Sequence, residues 1–265
     1  AHTYKIPSEV AETMVGYALV LNKIFHLTKN KYIYILETSL AESILANMLF
    51  KLELLKENSK THQLVSVAQH LCSKYKLDLN HCRHVADLAG SLFKQLQDAL
   101  GLKDDDLIYL TLAAYLHDIG MFVNNRAHHK HSEYIISSLN LFRLTEDDMK
   151  IIACIARYHR KGPPLPAHFL YNSLSSDQQI LVQKLSALLR IANALDRSHK
   201  QKIKKVEVKF NDRQDVTLIA HSSDSLLLEK AFFQEKKELF EEITGNRITL
   251  TLKGREGQDK TDAPT

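Results

Sequence analysis

The spacing of apolar residues changes once along this 265-residue chain, and that change constrains the fold more than any other feature. From residue 61 to about residue 198, apolar residues recur at helical spacing, with short turns between the segments. After residue 200 they alternate with polar residues, over residues 206–210 and 216–220, which is typical of half-buried strands. The chain is therefore predicted to be mainly α, with a helical core followed by a small C-terminal α+β domain.

Capping signals support the helices predicted within residues 61–198. The predicted helices cover residues 64–75, 80–100, 105–119, 132–140, 145–158 and 177–196. Residues placed to cap three of them are Asp104, Thr145 with Asp148, and Ser175 with Gln178. Gly101 and Gly120 are expected to end helices, because glycine tolerates the left-handed conformation that often follows the last turn.

Shorter elements are predicted on either side of this region. The chain opens with a predicted helix over residues 10–27, a strand over residues 32–36 and a second helix to about residue 54. Since one strand cannot form a sheet, this opening segment is expected to be the edge of an α/β domain. Beyond residue 200, two strands, a charged helix over residues 225–243 and a strand over residues 248–252 predict a ββαβ unit.

Composition favours a globular protein that suits an anionic ligand. Hydrophobic residues make up 45% of the chain, charged residues 25%, and the net charge is +4 with the histidines counted neutral. The three cysteines form no disulfide framework and indicate the cytoplasm. No apolar run approaches the roughly 18 residues of a membrane span. The few aromatic residues near the basic segments argue against a nucleic-acid partner.

His117 and Asp118 are the first candidates for chemistry. They end an otherwise apolar helix, and burying an imidazole with a carboxylate is costly unless both find partners. A divalent cation would satisfy them, because imidazole and carboxylate are common ligands for such ions. His81, at the start of the preceding long helix, could supply a third ligand. The alternative is a His–Asp hydrogen bond that only ties helices together.

Three basic clusters, each at a helix end and interleaved with histidines, indicate that a phosphate polyanion binds. The candidate phosphate-binding residues are Arg126, His128, Lys130, Arg157, Arg160, Lys161, Arg190, Asn193 and Arg197. Arginine binds phosphate oxygens bidentately, and lysine adds a point charge. The last three share one face of an otherwise apolar helix, so this stripe is expected to face a cleft. For any single one of these residues, a solvated surface position is the alternative.

These motifs resemble two known groups of proteins. The pattern His81, His117-Asp118 resembles the HD superfamily of metal-dependent phosphohydrolases. Residues 128–132, 157–161 and 188–198 resemble the C-terminal half of the exopolyphosphatase/guanosine pentaphosphate phosphatase (Ppx/GppA) family. The resemblance implies four segments: residues 1–58 as the edge of an actin-like α/β phosphatase domain, residues 59–200 as an HD-type helical domain, residues 201–254 as a small ββαβ domain, and residues 255–265 as a disordered tail.

The resemblance also implies a ligand set for a divalent metal, which could be magnesium, manganese or a transition metal. The implied metal ligands are His81, His117, Asp118, His131 and His159, and if the site hydrolyses phosphate, Asp118 or a nearby histidine would act as the catalytic proton acceptor. The last aspartate of the HD pattern is replaced by Asn193, a neutral and weaker ligand for a hard cation. Asp196, one turn later, could take its place.

Three functions follow from this resemblance. In the Ppx/GppA family, the phosphatase chemistry belongs to an N-terminal region with Gly-rich loops, and this chain has eight glycines and no Gly-rich cluster. The first expectation is a C-terminal module that binds polyphosphate or guanosine pentaphosphate. The second is a stand-alone HD phosphohydrolase, and the third is a non-catalytic dimerisation or scaffold domain. The family also implies a possible homodimer.

Overall fold

The computed structural model describes residues 8–28, 58–141, 144–160 and 162–253. The chain forms two compact units, residues 1–57 and residues 58–265. The described part of the first unit is helix α1 (Ser8–Thr28), where a helix was predicted. The predicted strand at residues 32–36, the helix that follows it and the tail from residue 255 lie outside the described residues.

The second unit begins with helices that confirm the predicted helical region. These are α2 (Asn58–Lys74), α3 (Leu79–Leu100), α4 (Asp106–Leu116), α5 (His128–Ser137), α6 (Glu146–Arg157), the short α7 (Phe169–Asn172) and α8 (Ser176–Leu195). A 3-10 helix, Ile119–Phe122, follows α4. None of the described helices is long and apolar enough to cross a membrane.

The rest of the second unit is the predicted ββαβ arrangement. Its elements are β1 (Lys205–Phe210), β2 (Val216–His221), α9 (Leu227–Lys236), α10 (Glu238–Thr244) and β3 (Ile248–Lys253). The sheet order is β1-β2-β3, with β1 antiparallel and β3 parallel to β2. A parallel pair needs a crossover connection, and α9 and α10 supply it. The prediction of one helix over residues 225–243 was wrong, because the helix is interrupted between Lys236 and Glu238 and forms two shorter helices.

The sheet and the helices share one core. Leu92 of α3, Leu112 of α4, Ile152 of α6 and Leu188 of α8 are fully buried within it. Gln95 of α3 binds the sheet edge, since its Nε2 donates to the Val206 carbonyl at 3.0 Å and its Oε1 accepts from the Val208 amide at 2.9 Å. Helix α9 packs against α8. The ββαβ arrangement therefore covers one side of α8.

Two predicted capping boxes are present and one predicted cap is not. The confirmed boxes are Thr145 with Asp148 at α6 and Ser175 with Gln178 at α8. Asp104 does not cap α4, because its Oδ1 accepts a hydrogen bond from Gln97 Nε2 at 2.7 Å. The N-cap position belongs to Asp105, whose side chain makes no cap hydrogen bond.

The two glycines expected to end helices behave differently. Gly101 ends α3 in the left-handed conformation, with φ of 59°, as predicted. Gly120 lies inside the 3-10 helix and does not end α4, so that prediction was wrong. A Cβ at this position would lie 2.1 Å from the His128 carbonyl oxygen and 2.4 Å from the Ser132 amide. Gly120 therefore allows the start of α5 to pack directly on the segment that carries Asp118.

Candidate metal and phosphate site

Asp118 lies at the centre of a buried cluster of histidines. Its Oδ1 atom is 3.3 Å from His128 Nε2 and 3.5 Å from His159 Nε2, and its Oδ2 atom is 3.5 Å from His117 Nε2. Two overlapping triads have ligand atoms within 4.8 Å of one another: His81, His117 and Asp118, and Asp118, His128 and His159. Four imidazoles, those of His81, His117, His128 and His159, thus converge on one carboxylate.

Hydrogen bonds at Nδ1 orient three of these imidazoles. His117 Nδ1 lies 2.8 Å from the Ala114 carbonyl oxygen, and His159 Nδ1 lies 2.6 Å from that of Ala156. His81 Nδ1 lies 2.9 Å from Asp196 Oδ2. A carbonyl or carboxylate oxygen can only accept, so each Nδ1 carries the proton. The lone pair of each Nε2 is left for the interior of the cluster.

His128 faces two competing partners. Its Nδ1 lies 3.0 Å from the Asn125 carbonyl oxygen, which requires a donor. The same atom lies 3.0 Å from Arg160 Nη1, which requires an acceptor. One tautomer therefore satisfies Asn125 and leaves the Nε2 lone pair facing Asp118, whereas the other satisfies Arg160 and donates from Nε2.

Several atoms of the cluster are buried and have no hydrogen-bond partner among the residues that the structure describes. They include His81 Nε2, His117 Nε2 and Asp118 Oδ1. Leaving buried polar atoms unpaired is unfavourable and usually has a functional reason. Unprotonated imidazole nitrogens and a carboxylate oxygen are all electron-pair donors, so a cation suits this group better than any hydrogen-bonding neighbour would.

The protonation states favour the same interpretation. Burial opposes ionisation of Asp118, but the surrounding histidines outweigh it and lower the pKa of this carboxyl group to about 2. Burial lowers the pKa of His81 and of His128, and it lowers the pKa of His159 well below its ordinary value. An ionised carboxylate among neutral imidazoles is the state in which these groups bind a metal.

The cluster forms one end of a cleft of about 560 Å³. Helix α8 contributes Arg190 and Asn193, and Arg197 lies in the turn after it, so the predicted polar stripe lines the cleft. Arg160 follows the end of α6 and lies beside the histidines. Helix α9 adds an aromatic ring, a carboxylate and an ammonium group to the lining, which belong to Phe232, Glu235 and Lys236.

Arg190 is the most deeply buried cation of the cleft. Its side chain is 6% exposed, and burial lowers the pKa of its guanidinium. Its Nη1 donates to the Gly162 carbonyl at 3.3 Å, and its Nε has no partner among the described residues. A buried guanidinium with donors left over is suited to a bound anion.

The structure does not bring all the predicted residues to the cleft. Arg126 and Lys130 are exposed and do not line it. Arg157 forms an ion pair with Glu133 instead. Lys161 lies outside the described residues.

His131 belongs to neither triad, and His128 is grouped there instead. Ala127 adopts a left-handed conformation, with φ of 60°, and α5 begins directly after it. The His128 side chain therefore reaches Asp118, whereas His131 has its Cβ against Gly120. Asp196 does not join the triads either; it binds the far side of His81.

Sequence reasoning missed the wall formed by α9. Phe232, Glu235 and Lys236 share one helix face, but nothing in the local sequence separates that face from an ordinary amphipathic surface. Met121 and Asn125, in the turn after Asp118, also line the cleft. Both residues follow the His117-Asp118 pair closely in the sequence, and this proximity could have indicated that they line the cleft.

Comparison with known proteins defines the family. The Ppx/GppA phosphatase family, domain III, matches residues 65–242. The chain therefore belongs to the Ppx/GppA phosphatase family. This match covers most of the second unit, including every residue of the histidine cluster and all the cleft residues described above.

Three curated relatives carry the name guanosine-5'-triphosphate,3'-diphosphate pyrophosphatase. The protein of Pseudoalteromonas translucida is 30% identical over 120 residues, which are 45% of this chain and 23% of that protein. The protein of Aeromonas hydrophila is 30% identical over 126 residues, 47% of this chain and 25% of that protein. The protein of Pseudoalteromonas atlantica is 27% identical over 178 residues, 66% of this chain and 34% of that protein. The chain thus spans about a quarter to a third of these relatives.

Proposed function

We propose that this chain acts as the C-terminal module of a Ppx/GppA-type phosphohydrolase and that its cleft binds a phosphate polyanion. The ligand would be inorganic polyphosphate or guanosine pentaphosphate, the latter because the curated relatives are named for it. The observation that carries the proposal is Arg190, a buried guanidinium whose Nε has no partner among the described residues and which lines the cleft.

The surrounding charges support an extended anion rather than a single phosphate. Arg160, Arg197 and Lys236 line the same cleft as Arg190. Guanidinium groups bind two phosphate oxygens at once, and several in one cleft can follow a chain of phosphates. Because Arg190 is buried and Arg160 and Lys236 are partly buried, their attraction for an anion is screened less than that of fully exposed charges.

Isothermal titration calorimetry with tripolyphosphate and with guanosine pentaphosphate tests this proposal. The wild-type chain should bind both, and Arg160→Gln should weaken binding about tenfold, the loss of one charge-assisted pair. Arg213→Gln is the matched control. It removes the same charge, and Arg213 is exposed in the turn between β1 and β2. Equal losses in both variants, or no binding by the wild type, would contradict the proposal.

A second candidate function is metal-dependent phosphohydrolysis by the chain itself. It is favoured by three buried atoms of one triad, His81 Nε2, His117 Nε2 and Asp118 Oδ1, which have no hydrogen-bond partner among the described residues. We infer that the two triads, His81–His117–Asp118 and Asp118–His128–His159, would hold divalent ions. Such ions supply Lewis acidity and a more acidic bound water. The ionised Asp118 would hold the cluster together and accept a proton, while Arg160 and Arg190 bind phosphate oxygens.

Elemental analysis of the purified chain tests this second candidate without relying on activity. The wild type should contain about one or two equivalents of a divalent metal per chain, as the two triads provide. His117→Ala should lose most of it, whereas His70→Ala, which removes an exposed imidazole from α2, should retain it. Metal content that is equal in all three proteins would contradict the assignment.

A further inference from the structure

Lys236 of helix α9 is an amine held beside the cleft. Its side chain is half-buried and lines the cleft. Its Nζ atom donates a hydrogen bond to the Arg160 carbonyl oxygen at 2.6 Å, and it forms no ion pair with a carboxylate among the described residues. Because the bond goes to a backbone oxygen, it holds the amine in place without adding a negative charge that would favour the ammonium form.

The surroundings of Lys236 favour the neutral form of its amine. Burial lowers the pKa of Lys236, and the nearby charges of Arg190, Arg160 and Arg197 lower it further. The adjacent carboxylate of Glu235 acts in the opposite direction but is outweighed. A neutral amine has a lone pair that can attack a carbonyl carbon, whereas an ammonium ion has none. Lys236 is therefore more nucleophilic than an ordinary surface lysine.

The arginines around Lys236 also determine which acyl donor the cleft would hold. Arg160, Arg190 and Arg197 line the cleft together with Lys236, and guanidinium groups bind phosphate oxygens. An acyl phosphate is a mixed anhydride of a carboxylic acid and phosphoric acid, so its phosphate group lies next to an activated carbonyl. When the arginines bind that phosphate, the carbonyl carbon is held near the amine, and proximity speeds the reaction.

We propose that Lys236 is an acylation site whose donor is an acyl phosphate, bound through its phosphate group by the arginines of the cleft. The proposal rests on the phosphate-binding function proposed above. The neutral Lys236 Nζ attacks the acyl carbonyl carbon, so that a C–N bond forms and the C–O bond to phosphate breaks. The phosphate leaves with the electron pair of that bond and takes up the proton that the nitrogen loses. The products are an amide at Lys236 and inorganic phosphate.

Acylation of Lys236 would change what the cleft binds. The amide is neutral, so the cleft loses one of the four arginine and lysine charges that line it. The cleft volume of about 560 Å³ leaves room for a small acyl group. We therefore expect the modified chain to bind phosphate polyanions more weakly than the unmodified chain.

Acetylation of the wild-type chain by acetyl phosphate in the presence of EDTA, followed by mass spectrometry, tests the site. Lys237 is a matched internal control, because it is also half-buried but pairs with Glu241 and does not line the cleft. Chymotrypsin cleaves after Phe233 and Phe240, which leaves both lysines in one peptide whose fragment ions locate the acetyl group. Lys236 should be acetylated at least about tenfold faster than Lys237.

Two further measurements separate donor binding from the reactivity of the amine alone. Saturating tripolyphosphate should suppress acetylation of Lys236, because it occupies the arginines, and should leave Lys237 unchanged. Arg160→Gln keeps the backbone carbonyl that binds Lys236 and should slow its acetylation about tenfold, the loss of one charge-assisted pair. Arg213→Gln, which removes an exposed charge outside the cleft, should leave the rate unchanged.

Titration calorimetry measures the effect of the modification on binding. Lys236→Gln imitates the neutral amide and should weaken tripolyphosphate binding about tenfold. Lys237→Gln removes the same charge from outside the cleft and should bind tripolyphosphate like the wild type. Equal affinities of the two variants would show that acylation of Lys236 does not regulate the cleft.

The outcomes separate this inference from the function on which it rests. Equal acetylation of Lys236 and Lys237, or a preference for Lys236 that persists in saturating tripolyphosphate, would overturn the acylation site and leave phosphate binding in place. If calorimetry detects no tripolyphosphate binding by the wild type, the proposed function fails, and the donor inferred from it fails as well.

Discussion

Asp196 Oδ2 lies 2.9 Å from His81 Nδ1, and both side chains are buried. The carboxylate therefore holds the proton on Nδ1 and directs the Nε2 lone pair of His81 toward His117 and Asp118. Asp196 is itself held by Gln201, whose backbone N–H donates to Asp196 Oδ1 at 2.8 Å. A carboxylate behind a ligating histidine is a recurrent feature of metal sites, where it sets the orientation and basicity of the ring.

The first prediction concerns this pair. Asp196→Asn should lower the affinity for a divalent metal by about 10- to 100-fold, because an amide is a weaker acceptor for the imidazole proton. Competition with a chromophoric chelator measures the affinity directly. Asp87→Asn, which removes an exposed carboxylate from the same helix as His81, is the control. If Asp196→Asn binds metal as tightly as the wild type, Asp196 does not position a ligand.

The second prediction concerns the close approach at Gly120. Gly120→Ala should destabilise the chain by about 2 kcal/mol or more, because the added methyl group overlaps the backbone at His128 and Ser132 and forces α5 to move. Urea unfolding measures the change. Metal affinity should fall as well, since α5 carries His128.

Gly90→Ala provides a matched comparison for Gly120→Ala. Gly90 lies inside α3, where a Cβ would meet only Leu107 Cδ1, at 4.0 Å. Alanine is the better helix former, so this variant should be stabilised by about 0.5–1 kcal/mol. A Gly120→Ala variant as stable as Gly90→Ala would contradict the packing described at Gly120.

The third prediction concerns pH and His129, which is buried beside the cluster with its Nδ1 unpaired among the described residues. Burial, together with the nearby His128, Arg157 and Arg160, lowers the pKa of His129 from 6.5 to about 4. The unfolded chain thus takes up a proton that the folded chain resists. Stability from this residue is complete above about pH 6.5 and is lost as the pH falls toward 4, by at most about 3 kcal/mol.

Unfolding by urea between pH 7 and pH 4.5, in the presence of EDTA, tests the role of His129. His129→Gln should lose stability less steeply with falling pH than the wild type, because one buried titrating group is gone. His70→Gln, on the exposed face of α2, controls for the loss of a histidine. An unchanged slope in His129→Gln would show that this imidazole does not resist protonation in the folded chain.

Local signals in the sequence were sufficient for most of the second unit. The capping boxes Thr145–Asp148 and Ser175–Gln178 could be predicted because each uses residues three positions apart. The stripe from Arg190 to Arg197 was recognisable because most residues around it, such as Leu188, Leu189, Ile191 and Leu195, are apolar.

Features set by tertiary contacts could not be predicted in this way. His128 and His131 belong to one histidine-rich run, and their sequence positions do not show that α5 begins at His128 or that His128 is the one near Asp118. The position of Phe232 and Glu235 depends on how α9 packs on α8, far along the sequence. Residue spacing contains no information about that packing.

A crystal structure of the chain with tripolyphosphate bound would show directly whether the cleft binds phosphate. We expect the phosphates to lie in the cleft, in contact with Arg160 and Arg190, with one end toward His128 and His159. Phosphates bound instead at the exposed Arg126 and Lys130, with the cleft empty, would contradict it.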